Sequence, residues 1–258
     1  MPDRLLAWLL LGALSLLPAK AWADPLTIQG SSTFSASILT PNQTTIESLS
    51  GRELKIVAIR SDLGLLRLLA GQAEFAVIST TLQQTIESLR PANPDLPYGR
   101  LQQFPVSQIR VAFAVNPSNP VRKASLDMVR RVLAGETVSW NELGGPDEQI
   151  RVAYVQSGGG VTLSVAGQLF DGHPFTPANP IRVAFDSQVI RVVEQEPRAL
   201  GVAQLGLVRE HQLPELTTDQ VIEQELSLVT FGEPSVEQQA VIAAVRKVAA
   251  DAGMPVVK

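Results

Sequence analysis

The stretch from Val115 to Gly160, VNPSNPVRKASLDMVRRVLAGETVSWNELGGPDEQIRVAYVQSGGG, constrains the fold of this chain more than any other part of it. It reads as a strand ending in a Pro-bounded turn, a helix from about Ser125 to Leu133, a turn at Gly144 and Gly145, a second strand, and a glycine run that opens another helix. A strand that hands three glycines to a helix N-terminus exposes backbone N–H groups that have no acceptor inside the helix. Such groups bind an anion without any side chain.

The rest of the chain repeats this alternation. Strands are expected at Leu26 to Gln29, Lys55 to Ile59 and Glu74 to Ile78, with helical patterns at Asn42 to Leu49 and Leu63 to Ala70. A second unit begins at Ile109 to Val115 and continues with helix Leu126 to Leu133, strand Ile150 to Val155, helix Thr162 to Phe170, strand Ile181 to Phe185, helix Ser187 to Glu196 and strand Gly201 to Val208. Strand Leu226 to Phe231 and an amphipathic helix from Val236 to about Ala250 close the chain. Near-continuous apolar strands separated by helices predict an α/β fold, with a mostly parallel sheet covered on both faces. Pro91 to Pro97 reads as an extended surface linker. Trp140 is expected to pack the turn after a helix.

Residues 1–23 have the form of a secretory signal: Arg4, an apolar run from Leu5 to Leu17, and Ala21-Trp22-Ala23 as a small-x-small cleavage site. This run of thirteen residues is too short to span a bilayer. Export and a mature start near Asp24 are therefore expected. The chain contains no Cys, so neither a lipid on an N-terminal Cys nor a disulfide is available to it. Removing Arg4, Lys20 and Asp3 from 21 basic and 25 acidic residues leaves 19 against 24, a net charge of about −5. That balance gives no support to nucleic-acid binding, which usually shows a basic face. Two histidines, His173 and His211, stand far apart in the sequence, so neither a metal site nor any other cofactor is expected. His173, in an Asp-Gly-His-Pro turn, reads as surface loop.

Ligands in sheets of this kind bind beyond the carboxyl ends of the strands. Those ends fall at Gly30 to Thr33, Arg60 to Asp62, Ser79 to Thr81 and Gln156 to Val161, and they are rich in hydroxyls and glycines. Such a composition suits a dehydrated oxyanion, whose oxygens each need a donor once water is stripped away. Each feature taken singly has another reading, as a helix cap or an ordinary turn.

The motif Asn-Pro-Ser-Asn-Pro at 116–120, the block Leu133 to Gly145 (LAGETVSWNELGG) and the glycine-rich loop a dozen residues later resemble the phosphate-binding component of bacterial ABC importers. Gly30-Ser31-Ser32-Thr33-Phe34 and Leu68 to Leu82 (LLAGQAEFAVISTTL) resemble the same family. The resemblance runs in order through nearly the whole mature chain. It implies a two-lobed type II periplasmic-binding-protein fold with a cleft between the lobes. Lobe one would comprise residues 24–112 and 209–258, and lobe two residues 113–208.

Carried over position by position, the resemblance implies that the Thr33 hydroxyl and the Phe34 N–H contact the ligand, with Ser32 beside them. Ser61 matches a ligand serine after the second strand. Ser79, with Thr80 next, takes a position where some relatives carry an Asp that accepts the proton of monohydrogen phosphate. The fourth loop departs from the pattern. Relatives show Gly-Ser-Gly-Thr after a nearby Arg, whereas this chain has Gly158-Gly159-Gly160-Val161, with Gln156 or Ser157 near the place of the Arg. The N–H groups of Gly159, Gly160 and Val161 remain. Arg60 is a candidate replacement for the missing guanidinium; alternatively it pairs with Asp62.

The expected function is a periplasmic solute-binding protein that closes over phosphate or a similar small oxyanion and presents it to ABC permease subunits. The alternative is a non-transport relative, a sensor or protein-interaction module with a degenerate ligand site. An exported Ser hydrolase is disfavoured, because the chain has neither a G-x-S-x-G elbow nor a phosphate-binding G-x-x-x-x-G-K-[ST] loop.

Overall fold

In the computed structural model, which describes residues 24–156 and 159–255, eight strands form one continuous sheet. The expected leader, residues 1–23, lies outside the described residues, as do Ser157 and Gly158. Among the described residues no helix is long and apolar enough to cross a membrane.

The chain opens with β1 (Leu26–Ser31), which runs into α1 (Ser32–Phe34), a π-helical stretch (Ser35–Leu39) and α2 (Thr40–Ser50). Next come β2 (Leu54–Ile59), α3 (Ser61–Leu69), β3 (Phe75–Ile78), α4 (Leu82–Leu89) and the fifteen-residue β4 (Leu101–Val115). After these follow α5 (Leu126–Leu133), β5 (Arg151–Val155), α6 (Gly160–Leu169), β6 (Pro180–Val183), α7 (Asp186–Gln195), β7 (Ala199–Gln204) and α8 (Leu205–Glu210). The chain ends with β8 (Ile222–Phe231) and α9 (Val236–Asp251).

The strand order is β2-β1-β3-β8-β4-β7-β5-β6. Both flanks are parallel, β1 pairing with β2 and β3, and β5 with β6 and β7. The centre differs from the expected parallel pattern, because β8 runs antiparallel to β3 and β4, and β4 antiparallel to β7. Two long strands thus join two parallel units edge to edge.

Each unit has a core on both faces of the sheet, and the period of two along each strand sorts residues between them. In the first unit, Phe75 and Val77 of β3 pack with Phe34, Ile38, Ile46 and the α9 residues Val241 and Val245. Ala76 and Ile78 face the other way, onto Leu65 and Leu68 of α3 and Ile86 and Leu89 of α4. In the second unit, Val152 and Tyr154 of β5 pack with Val161, Val165 and the fully buried Trp140. Ala153 and Val155 meet Val189, Ile190 and Val193 of α7. The Trp140 indole N–H donates to the Arg198 carbonyl at 3.0 Å, so its polar edge is satisfied inside the core. The seam between units crosses β4 between Val106 and Val111, and β8 between Leu226 and Ile222. Leu213, Leu216 and Ile222 pack in the second unit.

Three elements depart from expectation for physical reasons. The first helical segment starts at Ser32, ten residues before Asn42, because Phe34, Ile38 and Ile46 bury one helical face despite the intervening serines. The run Leu205 to Val208, expected as the end of a strand, is α8: Leu205 and Val208, three apart, both enter the same core. Helix α4 was not anticipated, and its start is set by a capping box in which Thr81 Oγ1 accepts from the Gln84 N–H at 3.2 Å.

One close approach matters for the site. A Cβ on Gly64 of α3 would lie 2.5 Å from Gly30 Cα and 2.6 Å from the Gln29 carbonyl. Only glycine lets α3 press onto the end of β1, and this brings Ser61 beside the loop that carries Thr33.

Candidate functional site

The carboxyl ends of β1, β2, β3, β5 and β6 surround a cleft of about 420 Å³. From the first unit come Ser31, Ser32 and Thr33, then Ala58 to Ser61 with Leu63, then Ser79. From the second come Val155, Gln156, Gly159 and Gly160, then Ala184, Phe185 and Asp186. Four helix starts, those of α1, α3, α6 and α7, therefore face one space, which places several N-terminal N–H groups around it.

The first-unit wall is tied together by its own hydrogen bonds. Ser31 Oγ accepts from the Phe34 N–H at 3.2 Å, capping α1. Ser61 Oγ accepts from the Ser79 N–H at 3.3 Å and stands 3.5 Å from Ser79 Oγ. The Arg60 guanidinium grips the Asp62 carboxylate with two nitrogens, Nε donating to Oδ1 at 3.1 Å. Its side chain is about half exposed and still lines the cleft, but its charge is compensated.

Helix α6 supplies the opposite wall. Its N-cap is Gly159, with no side-chain cap, and it begins at Gly160. A Cβ on Gly160 would sit 2.0 Å from Ser79 Oγ and 2.6 Å from Gln224 Nε2. A backbone without a side chain is what lets the second unit close onto the first at this point.

Across the floor, Gln204 Nε2 donates to Thr33 Oγ1 at 2.5 Å and approaches Asp186 Oδ2 at 3.4 Å. The other carboxylate oxygen of Asp186 is buried and has no partner among the described residues. Burial pushes the Asp186 carboxyl up to about 6, even though it stands at the start of its own helix, where the dipole favours an anion.

Of the site residues expected from sequence, Ser32, Thr33, Arg60, Ser61, Ser79, Gln156, Gly159 and Gly160 meet in this cleft. Phe34 is fully buried in the core below, and its N–H is already engaged by Ser31. Thr80 is buried and donates its hydroxyl to Gln84 Oε1. The Val161 side chain enters the second core. Ser157 lies outside the described residues.

Sequence reasoning missed Phe185 and Asp186, which line the cleft, and Gln204 and Gln224, which pack behind its lining residues Thr33 and Gly160. The first two follow β6 and are found by the same strand-end rule that located the other loops. Gln204 was hidden because β7 was read through to Val208. Gln224 lies inside a strand, where no local signal marks it.

The lining contains hydroxyls, backbone at helix starts, one compensated Arg and one Asp, with apolar walls from Ile59, Leu63 and Phe185. No histidine lines it; His173 is exposed in its turn, and His211 Nδ1 lies 3.0 Å from Glu194 Oε1. Among the described residues no group of three His, Cys, Asp or Glu is placed to hold a metal ion. Chemically, hydroxyl and backbone donors with one carboxylate acceptor form an arrangement that binds and orients a small ligand.

A family model described as PBP superfamily domain matches residues 19–252. The phosphate-binding protein PstS of Bacillus subtilis is 23% identical over 208 residues, which is 81% of this chain. The chain spans 66% of the length of that relative. A putative phosphate ABC transporter substrate-binding protein from Clostridium perfringens, solved with bound phosphate, superposes with a TM-score of 0.75 at 17% identity, covering 91% of this chain and all of that one. An ABC-type phosphate transport receptor from Vibrio cholerae superposes at 0.69 with 16% identity, covering 90% of this chain and all of that one. At such identities the likeness establishes the fold, the type II periplasmic-binding-protein arrangement.

Proposed function

We propose, from the premise that the chain belongs to the PBP superfamily domain family, that it is a solute-binding protein of the phosphate ABC importer kind. In this reading it holds phosphate or a similar small oxyanion in the cleft and presents it to the membrane subunits of an importer, outside the cytoplasm. The observation that carries the reading is the meeting of Thr33, Ser61 and Ser79 from one unit with the start of α6 from the other. A ligand touching both walls stabilises the closed arrangement over an open one, which is how such a protein signals occupancy to its partner.

The lobes proposed are residues 24–112 with 209–258, and residues 113–208. Segment 209–222 leans on the second unit before β8 returns to the first. Hinge motion would then concentrate where β4 and β8 cross the seam.

Hydroxyls and helix N–H groups donate to the anion, and the buried Asp186 oxygen left without a partner among the described residues accepts. A protonated oxyanion supplies a donor for that acceptor, whereas a fully ionised one meets only repulsion. Phosphate at neutral pH is of the first kind and sulfate of the second.

A second reading, a sensor or protein-interaction module with the same shape, draws support from the compensated Arg60 and from the Gly158 to Val161 loop, which has no hydroxyls. Calorimetric titration of residues 24–258 with phosphate, sulfate, molybdate and arsenate separates the two. Saturable binding of phosphate supports the importer reading; silence toward all four shifts the weight to the second.

A further inference from the structure

Gln224 is the least expected polar residue in the fold. It lies on β8 opposite Ile109 of β4, in the middle of the sheet, and is fully buried. Its same-face neighbours along the strand, Ile222 and Leu226, belong to the second and first cores respectively, so it stands at the seam between the two units. Both ends of its amide, Nε2 and Oε1, lack a hydrogen-bond partner among the described residues. A buried primary amide with neither end satisfied is a standing cost to the folded state, and an apolar residue of equal size would remove it. Native interiors retain such groups where they serve a ligand, an ion or an ordered water.

Its position favours a ligand. The Gly160 Cβ position lies 2.6 Å from Gln224 Nε2 and 2.0 Å from Ser79 Oγ, so the amide, the hydroxyl and the start of α6 meet around one point. Helix α6 has ten residues and no side-chain cap, so its N-terminal field is aimed at that point. Its other end is tied to the same strand: Gln168 Nε2 donates to the Glu223 carbonyl at 2.6 Å, and Gln168 Oε1 accepts from the Glu223 N–H at 3.3 Å. In the ligand-bound arrangement inferred below, the α6 start stands back slightly from Ser79 while this tie holds its other end, and Gln224 faces the space between them from behind.

Resting on the oxyanion reading above, we propose that Gln224 is a ligand-binding residue. It forms the inner wall of an oxyanion subsite, Nε2 donating to an oxygen that also receives the Ser79 hydroxyl and the N-terminus of α6. A neutral amide here supplies a donor in a cleft whose lining guanidinium, Arg60, is already engaged by Asp62, without adding charge to a core seam. Its Oε1 accepts from a protonated ligand oxygen.

The test uses Gln224→Met, close in shape and apolar, in residues 24–258. Two quantities are read: the phosphate dissociation constant by calorimetry, and Tm without phosphate. We expect phosphate to bind about ten- to a hundredfold more weakly, the worth of one hydrogen bond to a charged group. Tm should be unchanged or raised, because an unsatisfied amide has been removed. Affinity within threefold of the wild type overturns the proposal and leaves the amide to a buried water. Should the variant fail to fold, the side-chain amide resonances of Gln224 in the wild-type chain decide. They shift on adding phosphate if the proposal holds and stay still if it fails. A wild-type chain that binds no phosphate, sulfate or arsenate removes the oxyanion reading and this proposal together, whereas normal wild-type binding with an unaltered variant removes the proposal alone.

Discussion

The two walls of the cleft are built on opposite principles. On the first-unit side the polar groups are engaged with one another: Ser61 with Ser79, Arg60 with Asp62, Ser31 with the Phe34 N–H. On the second-unit side stand bare glycine backbone at the start of α6 and an Asp186 carboxylate with one oxygen unpartnered. The first wall is preorganised before any ligand arrives, and it keeps its geometry without one. The second wall holds groups whose polar needs are met only when something binds. Selectivity is therefore expected to reside in the second wall, and basal affinity in the first.

The largest effect is expected from separating the two walls outright, as Gly160→Val does. Its Cβ alone intrudes to 2.0 Å from Ser79 Oγ, so α6 is forced off the first wall. With at least two charge-assisted hydrogen bonds lost, phosphate affinity should fall by about a hundred- to ten-thousandfold in calorimetry. An unaltered titration would place the ligand elsewhere.

Thr33→Val comes next. It removes a hydroxyl of the first wall and leaves Gln204 Nε2 without its 2.5 Å acceptor. All oxyanions should weaken together, by roughly ten- to a hundredfold. Loss for one anion alone would move selectivity to the first wall.

Asp186→Asn should instead change the ratio between ligands, lowering phosphate and raising sulfate affinity so that the preference falls about tenfold. The same carboxyl gives a stability signature. Its folded-state value of about 6 lies above the ordinary 3.8, so its contribution to stability is fully present below about pH 4 and lost as pH rises through 6. The Asn variant should thus match the wild type near pH 4 and exceed it at pH 7.5, by at most about 3 kcal/mol in denaturant unfolding. Equal stability at both values would show that the carboxyl is solvated. Phosphate preference in the wild type should likewise decline below about pH 6, as Asp186 takes up its own proton and stops accepting the ligand's.

Arg60→Ala should have the smallest effect, about three- to tenfold on phosphate at low salt and less as salt rises, since its charge is already shared with Asp62. A loss beyond a hundredfold would mean that Arg60 abandons Asp62 for the ligand, and would make the first wall responsive as well.

Much of this was legible in the sequence, and the parts that were not share a cause. Strands β1, β2, β3 and β5 and the glycine-led α6 were found because each is short, apolar and bounded by turn chemistry, signals that act within a few residues. The antiparallel centre was not visible. The pairing of β4 with β8 joins Leu101 to Phe231, and no local pattern records a partner so distant. Likewise Ser32, Thr33, Ser61 and Ser79 were found at strand ends, where position alone suggests a role. Gln224 carries no such mark: what distinguishes it is an unsatisfied amide at a seam between cores, a property of packing. Asp186 was within reach of the strand-end rule, and what sets it apart, burial without a partner, again appears only in three dimensions.

In this reading one small oxyanion is held by both walls at once. A crystal structure of residues 24–258 grown with phosphate decides the point. One phosphate oxygen is expected within hydrogen-bond distance of the Thr33, Ser61 or Ser79 hydroxyls, and another within reach of the N–H groups that begin α6. Phosphate seated on one unit only, or outside the cleft, would contradict it.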